Sequence, residues 1–303
     1  TAAVFVFLLL FAVNSTQAAT RTSIASGDWQ VASMWDSGTV PAAGDNVVIA
    51  SGTTIATPTD NNIGGGIVTV QSGAVLDLRG AFLTASKLIA ENGSEVIQRV
   101  VTSPRTTIST YQLAPNSTYT FNGPNSSLTD THPTYGNLTI KPTGSSSGFI
   151  ATSLTVVGNL TVDFQGQSEL RLQSGLAYML GGIVIKHGVF VLNNSGGTAT
   201  ATVSGNVEIQ SQGTLRGTNS SGHGTLNLGG NLVNNGAIQQ DDGSSSGIFT
   251  INLNGTAEQH ISGTSPVAFE NLTVNNPSGV VLDRDVTVDK VLTLTSGRVN
   301  AED

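Results

Sequence analysis

One short phrase recurs along this chain and constrains its fold more than any other feature. It reads Gly136-Asn137-Leu138-Thr139-Ile140, Gly158-Asn159-Leu160-Thr161-Val162, Gly205-Asn206-Val207-Glu208-Ile209 and Gly230-Asn231-Leu232-Val233-Asn234. A fainter copy is Gly182-Ile183-Val184-Ile185, and Glu270-Asn271-Leu272-Thr273-Val274 repeats the phrase with its glycine replaced. The first five copies begin at residues 136, 158, 182, 205 and 230, a period of 22 to 25 residues. Between them falls a second element, Ser72-Gly73, Ser174-Gly175, His187-Gly188, Gln212-Gly213 and Ser296-Gly297, flanked by short alternating runs such as Glu169-Leu170-Arg171-Leu172. Self-similarity at a fixed period of this size is the signature of a solenoid.

Within each phrase Leu, Val or Ile alternates with Thr, Asn or charge. Period-two alternation describes a strand with one buried and one wet face, so Leu160 should point inward and Thr161 outward. Each run ends after three to five residues at a Gly, Asn or Ser turn, and helical apolar spacing is missing after Val13. Short strands repeated at this period build a parallel β-helix. The near-universal hand of parallel crossovers makes it right-handed. An antiparallel sandwich is the alternative, but it needs paired hairpin turns that one fixed period does not supply. From Thr20 to Asp303 there is room for about 11 to 12 coils at this period. Asn137, Asn159, Asn206, Asn231 and Asn271 should then share one corner and stack their amides, each preceding glycine allowing φ > 0 there. Three of these asparagines sit in formal glycosylation triplets, which arise easily by chance in a chain this rich in Asn, Ser and Thr.

The ends of the chain read differently. Ala2 to Val13 is an unbroken apolar run followed by polar residues and then Ala18-Ala19. That is the layout of a secretory signal, and the run is shorter than the roughly 20 residues a bilayer span needs. Residues 1–19 are therefore expected to be a signal peptide and the mature chain to carry no membrane span. Residues 20–60 hold both tryptophans, Trp29 and Trp35, near the turn Pro41-Ala42-Ala43-Gly44-Asp45. An exposed solenoid end needs a cap, and two large aromatics suit that task. Residues 61–303 are expected to be β-helix repeats.

The stretch from Trp29 to Ile55 resembles the amino-terminal portion of a G8-like domain. The phrases Asn271-Leu272-Thr273-Val274 through Leu292-Thr293-Leu294-Thr295-Ser296-Gly297 resemble coils of large secreted β-helix proteins of Bacteroidetes-type bacteria. That resemblance implies a surface adhesin or carbohydrate-associated module, with extracellular polysaccharide or cell-surface glycans of a host as partners.

Composition closes several routes. The 12 Lys+Arg against 20 Asp+Glu give a net charge of −8, and the basic residues are scattered. A nucleic-acid partner is therefore not expected, since displacing counterions needs clustered cations. With no Cys, disulfide scaffolds and Cys-ligated zinc are excluded. His187, His223 and His260 show no ligand-spaced neighbours in sequence, so neither a metal nor another cofactor is expected.

Candidate chemistry is sparse. Gly144-Ser145-Ser146-Ser147-Gly148 and Gly243-Ser244-Ser245-Ser246-Gly247 match the nucleophile-elbow string. Both are followed by strand-like residues rather than a helix, which makes them loops. Polysaccharide lyases and hydrolases use this architecture and need paired carboxylates, or Ca²⁺-binding carboxylates beside a basic residue. Asp241-Asp242 reads as an acidic turn, and Asp283, Asp285 and Asp289 with Arg284 and Lys290 read as solvated turn charges. The strongest ligand-binding candidates are Asp130, His132 and Tyr135, in the longest irregular loop, because loops on rigid scaffolds carry function. No catalytic set emerges, and a carbohydrate-active enzyme or its accessory binding module is the alternative to a stalk or adhesin. The 2 Trp and 4 Tyr are too few for a long sugar groove. A row of outward threonines (Thr139, Thr161, Thr273, Thr287) would be a poor lattice, being single per strand and interrupted by Glu208 and Val233.

Overall fold

A computed structural model describes residues 18–79, 82–99, 106–123, 127–128, 134–143, 149–151, 153–164, 168–243 and 246–301. The signal-like run, the loop residues Asp130 and His132, the whole of Gly144–Gly148, and Ser244 and Ser245 of the second Gly/Ser string lie outside the described residues.

The alternation read from the sequence becomes a parallel β-solenoid of about 11 coils. Every pairing between its named strands is parallel, and the one antiparallel contact among the described residues is the isolated bridge between Ser23 and Trp35. One inward column runs through Ile55, Leu76, Val96, Tyr119, Leu138, Leu160, Ile183, Val207, Leu232 and Ile261, each in register with the next. All are buried, and Thr161, the residue after Leu160, is half-exposed on the outside. Burying a Leu or Ile side chain contributes roughly 1.5–3 kcal/mol. A shared column spreads that gain over neighbouring coils, so no coil is stable alone.

A second inward column closes the other side of the core: Leu154, Tyr178, Ala201, Leu226, Ile251 and Leu272. Long strands such as Leu154–Asp163 and Ala177–Asn193 serve more than one side of the coil, and both carry register irregularities at the corners they turn.

The phrase copies do not all occupy one place. Those at 136, 158, 205 and 230 stack on one another, but Leu272 aligns with Ile251 in the second column, while Leu232 aligns with Ile261. Asn271 therefore does not share the corner of the other four asparagines. Gly182 stands opposite Asn159, so the glycine equivalent to Gly158 in that coil is Gly181.

Two further expectations about the corner are corrected. The asparagines do not stack amide on amide. Instead Asn137 Oδ1 accepts the Asn159 N–H (2.9 Å), Asn206 Oδ1 that of Asn231 (2.8 Å), and Asn231 Oδ1 that of His260 (2.9 Å). Each side chain thus satisfies a backbone donor of the next coil where the strand ladder breaks at the bend. Nor does the preceding glycine supply a positive φ. An added Cβ at Gly136 would lie 2.1 Å from the Ala114 carbonyl oxygen, and one at Gly158 2.3 Å from Asn137 Oδ1. Closeness of successive coils is what demands glycine there. The left-handed conformation belongs to the second element, at Gly73 (φ 74°), Gly175 (φ 76°) and Gly297 (φ 84°).

At the amino-terminal end, Trp29 and Trp35 are buried and pack edge to face with centroids 5.2 Å apart, the Trp35 indole donating to the Trp29 carbonyl. Strand Thr20–Thr22 pairs with Asn46–Ile49, which pairs with Ile67–Val70. Coil stacking therefore runs through residue 60 without a break, and residues 20–60 already contribute coils. At the other end Leu292 is 53% exposed, whereas Leu272 one coil below it is 4% exposed.

Candidate functional site

Of the three loop residues proposed from sequence, Tyr135 alone is described. It is 2% exposed and joined to Val156 by an isolated parallel bridge. Its ring meets Tyr119 at 5.5 Å and Phe121 at 6.4 Å, both edge-on, and burial pushes its hydroxyl far above the ordinary tyrosine pKa. Tyr119 donates its hydroxyl to Gln98 Oε1 at 2.8 Å. Tyr135 fills a widened stretch of core with two other aromatics and faces away from solvent.

The most chemically distinctive cluster is one that the sequence alone does not reveal. Asp163 ends the strand Leu154–Asp163, and His187 lies opposite it one coil on. Imidazole Nδ1 of His187 is 2.6 Å from Asp163 Oδ1, and Lys141 Nζ reaches Asp163 Oδ2 at 3.2 Å from the coil on the other side. Burial alone would raise the Asp163 carboxyl, but hydrogen bonds from His187 and Lys141 and their charges outweigh it and hold its pKa below 3.8. His187 is thus not solitary: a buried carboxylate orients it from the preceding coil. Three residues, separated by 22 or more positions in sequence, become neighbours because they occupy equivalent positions at one corner of successive coils.

A second cluster gathers on the following side of the same coils. Glu169 accepts from Arg171 Nε (2.7 Å), a terminal guanidinium nitrogen of Arg216 (2.6 Å) and Asn219 Nδ2 (2.7 Å). These donors and both arginine charges outweigh desolvation and keep Glu169 below the ordinary glutamate range. Asp77 binds Arg99 through two hydrogen bonds (2.6 and 3.0 Å) in the same coil-bridging manner. Glu270, placed where the other phrase copies have glycine, is 1% exposed; it accepts the Phe249 N–H (2.5 Å) and Lys290 Nζ (2.5 Å).

The acidic candidates from sequence divide among local tasks. Asp241 accepts the Gly243 N–H at 2.7 Å, an Asx turn. Asp283 pairs with His260 (3.1 Å), Arg284 donates to the Gly263 carbonyl (2.7 Å), and Asp289 accepts from Gln240 (2.5 Å). The structure does not bring Asp283, Asp289 and Lys290 to one centre. Among the described residues no group of three His, Asp or Glu side chains is placed to hold a metal ion. What these clusters do chemically is join coil to coil; the Asp163–His187 pair adds a partly exposed imidazole held in one orientation. Comparison of the chain with family models, with curated proteins and with solved structures finds no match.

Proposed function

We propose that this chain is an extracellular β-solenoid displayed at the cell surface, a structural stalk or adhesin whose partners are surface glycans or polysaccharide. The observation that carries this reading is the continuous inward column from Ile55 to Ile261, which makes a stiff rod of about 11 coils. At the strand spacing of a sheet such a rod is about 50 Å long. Its coil-bridging carboxylates support the reading, because buried Asp77, Asp163 and Glu270 each engage groups on a neighbouring coil and Glu169 reaches Arg216 two coils on. The apolar run Ala2 to Val13 supports export, and the resemblance of the stretch from Trp29 to Ile55 to a G8-like segment supports an extracellular setting.

Antibody labelling of intact cells, with and without surface proteolysis, tests the placement; protein confined to the cell interior would overturn it. A polysaccharide lyase or hydrolase is the second reading, favoured by the Asp163–His187–Lys141 cluster. Incubating the purified chain with pectin, alginate and glycosaminoglycans decides between them. Turnover that disappears in His187→Ala would replace the stalk reading with the enzymatic one.

A further inference from the structure

The outward side of the second column carries a two-dimensional array that the sequence phrases concealed. Strands Thr198–Val203, His223–Leu228 and Ile248–Leu253 pair without a register shift. Thr200, Thr225 and Thr250 form one outward row and Thr202, Asn227 and Asn252 a second, both continuing into Asn271 and Thr273 on the next coil. All six are half-exposed, while the residues between them are buried. Asn252 Nδ2 donates to Asn227 Oδ1 at 2.8 Å, which fixes the amides along the row. The threonines that sequence alone suggests as a row, and as a poor one, are dispersed: Thr139 and Thr161 stack, but Thr273 aligns with Asn252 and Thr287 with Ala268.

The six residues of this face carry no charge, and its three strands contain no Asp, Glu, Lys or Arg; Phe249 is buried, and His223, exposed on the same side two residues before Thr225, is their one titratable group. Neighbours within a row lie about 4.8 Å apart, and the rows are about 6.6 Å apart, two residues along a parallel strand. A mineral or charged polymer would need ionic partners that the face does not offer. Binding of sugar rings would be served by exposed aromatic faces, and it has none. A neutral crystal of small hydrogen-bonding molecules fits both the periodicity and the absence of charge.

We propose that the face formed by Thr200, Thr225, Thr250, Thr202, Asn227 and Asn252 binds the surface of ice. Threonine presents a methyl and a hydroxyl at each lattice point, and its β-branched side chain is restricted to few rotamers, so little freedom is lost on binding. The inference does not depend on the stalk reading, which stands whether or not ice is bound.

The purified full chain is tested for inhibition of ice recrystallisation and for incorporation of a fluorescent label into a growing ice hemisphere. Activity is expected in both assays, lost in Thr225→Lys/Thr250→Lys and kept in Thr161→Lys on another side of the coil. Thr225→Val/Thr250→Val, which preserves β-branching, provides a folded comparison if the lysine variant fails to fold. An inactive parent protein would overturn the proposal. So would equal loss in Thr161→Lys, or binding to crystalline cellulose that Thr225→Lys/Thr250→Lys abolishes in place of ice activity.

Discussion

The phrase copies between Gly136 and Asn231 and the copy at Glu270 share a sequence pattern but not a position. In the first group an inward Leu or Val follows an asparagine that caps the next coil, and glycine precedes it because no Cβ fits between successive bends. In the second, the same inward Leu and outward Thr lie on the other side of the core, and the glycine is replaced by a buried glutamate that accepts the Phe249 N–H. The comparison teaches that Asn-Leu-Thr-Val specifies a strand leaving a bend. It does not specify which bend. The first-column position after Leu232 is taken by Ile261 in strand Gln259–Ser262, which does not carry the phrase, and the copy at Asn271 falls on a later strand, opposite Thr250 on the side of the second column.

Substitutions in the two regions should therefore differ in kind. The largest effect is expected from Leu160→Asp, which puts an unpaired charge in the first column and removes its packing, a loss above about 4 kcal/mol. Thr161→Asp, one residue on and outward, should stay within about 0.5 kcal/mol. Thermal unfolding of both variants checks the pair, and equal losses would contradict the strand parity. Next comes Gly136→Ala, whose Cβ meets the Ala114 carbonyl and must push two coils apart, costing about 1–3 kcal/mol. Glu270→Ala should cost a comparable 1–3 kcal/mol or so by a different route, leaving the buried Phe249 N–H without an acceptor. Denaturant titration with Glu270→Gln as a partial rescue separates the lost hydrogen bond from lost charge.

The fold is legible in the sequence because its code is local. Alternation places Leu160 inside and Thr161 outside, and the period exposes the coil. The corner chemistry is not legible, since Asn137 Oδ1 meets the N–H of a residue 22 positions away and glycine has two distinct uses. The Lys141–Asp163–His187 cluster escapes for the same reason. Each residue looks like an isolated strand-end charge until the register is known. Tyr135 reads as a loop residue because its sequence neighbours resemble a turn, while its aromatic partners Tyr119 and Phe121 lie in the previous coil.

Smaller effects are expected from the coil-bridging carboxylates. Asp163 and Glu169 have folded pKa values below their ordinary 3.8 and 4.5, so they bind protons more readily when unfolded. Their contribution is fully present above those ordinary values and is lost as pH falls through them toward the lower folded values. Unfolding temperature should drop as the buffer is taken from pH 5 to about pH 2, and Asp163→Asn should flatten part of that decline. An unchanged slope would remove Asp163 from the stabilising set.

The register itself can be tested most directly by cross-linking, because the chain has no Cys of its own. Val233 and Ser262 are partners on adjacent coils, which places their Cα atoms about 4.8 Å apart, within disulfide reach. Aligning the phrases by sequence would instead bring Val233 beside Thr273. Mild oxidation of Val233→Cys/Ser262→Cys should give an intramolecular disulfide that raises the unfolding temperature, while Val233→Cys/Thr273→Cys stays reduced. A disulfide in the second variant and none in the first would contradict the solenoid register on which the whole account rests.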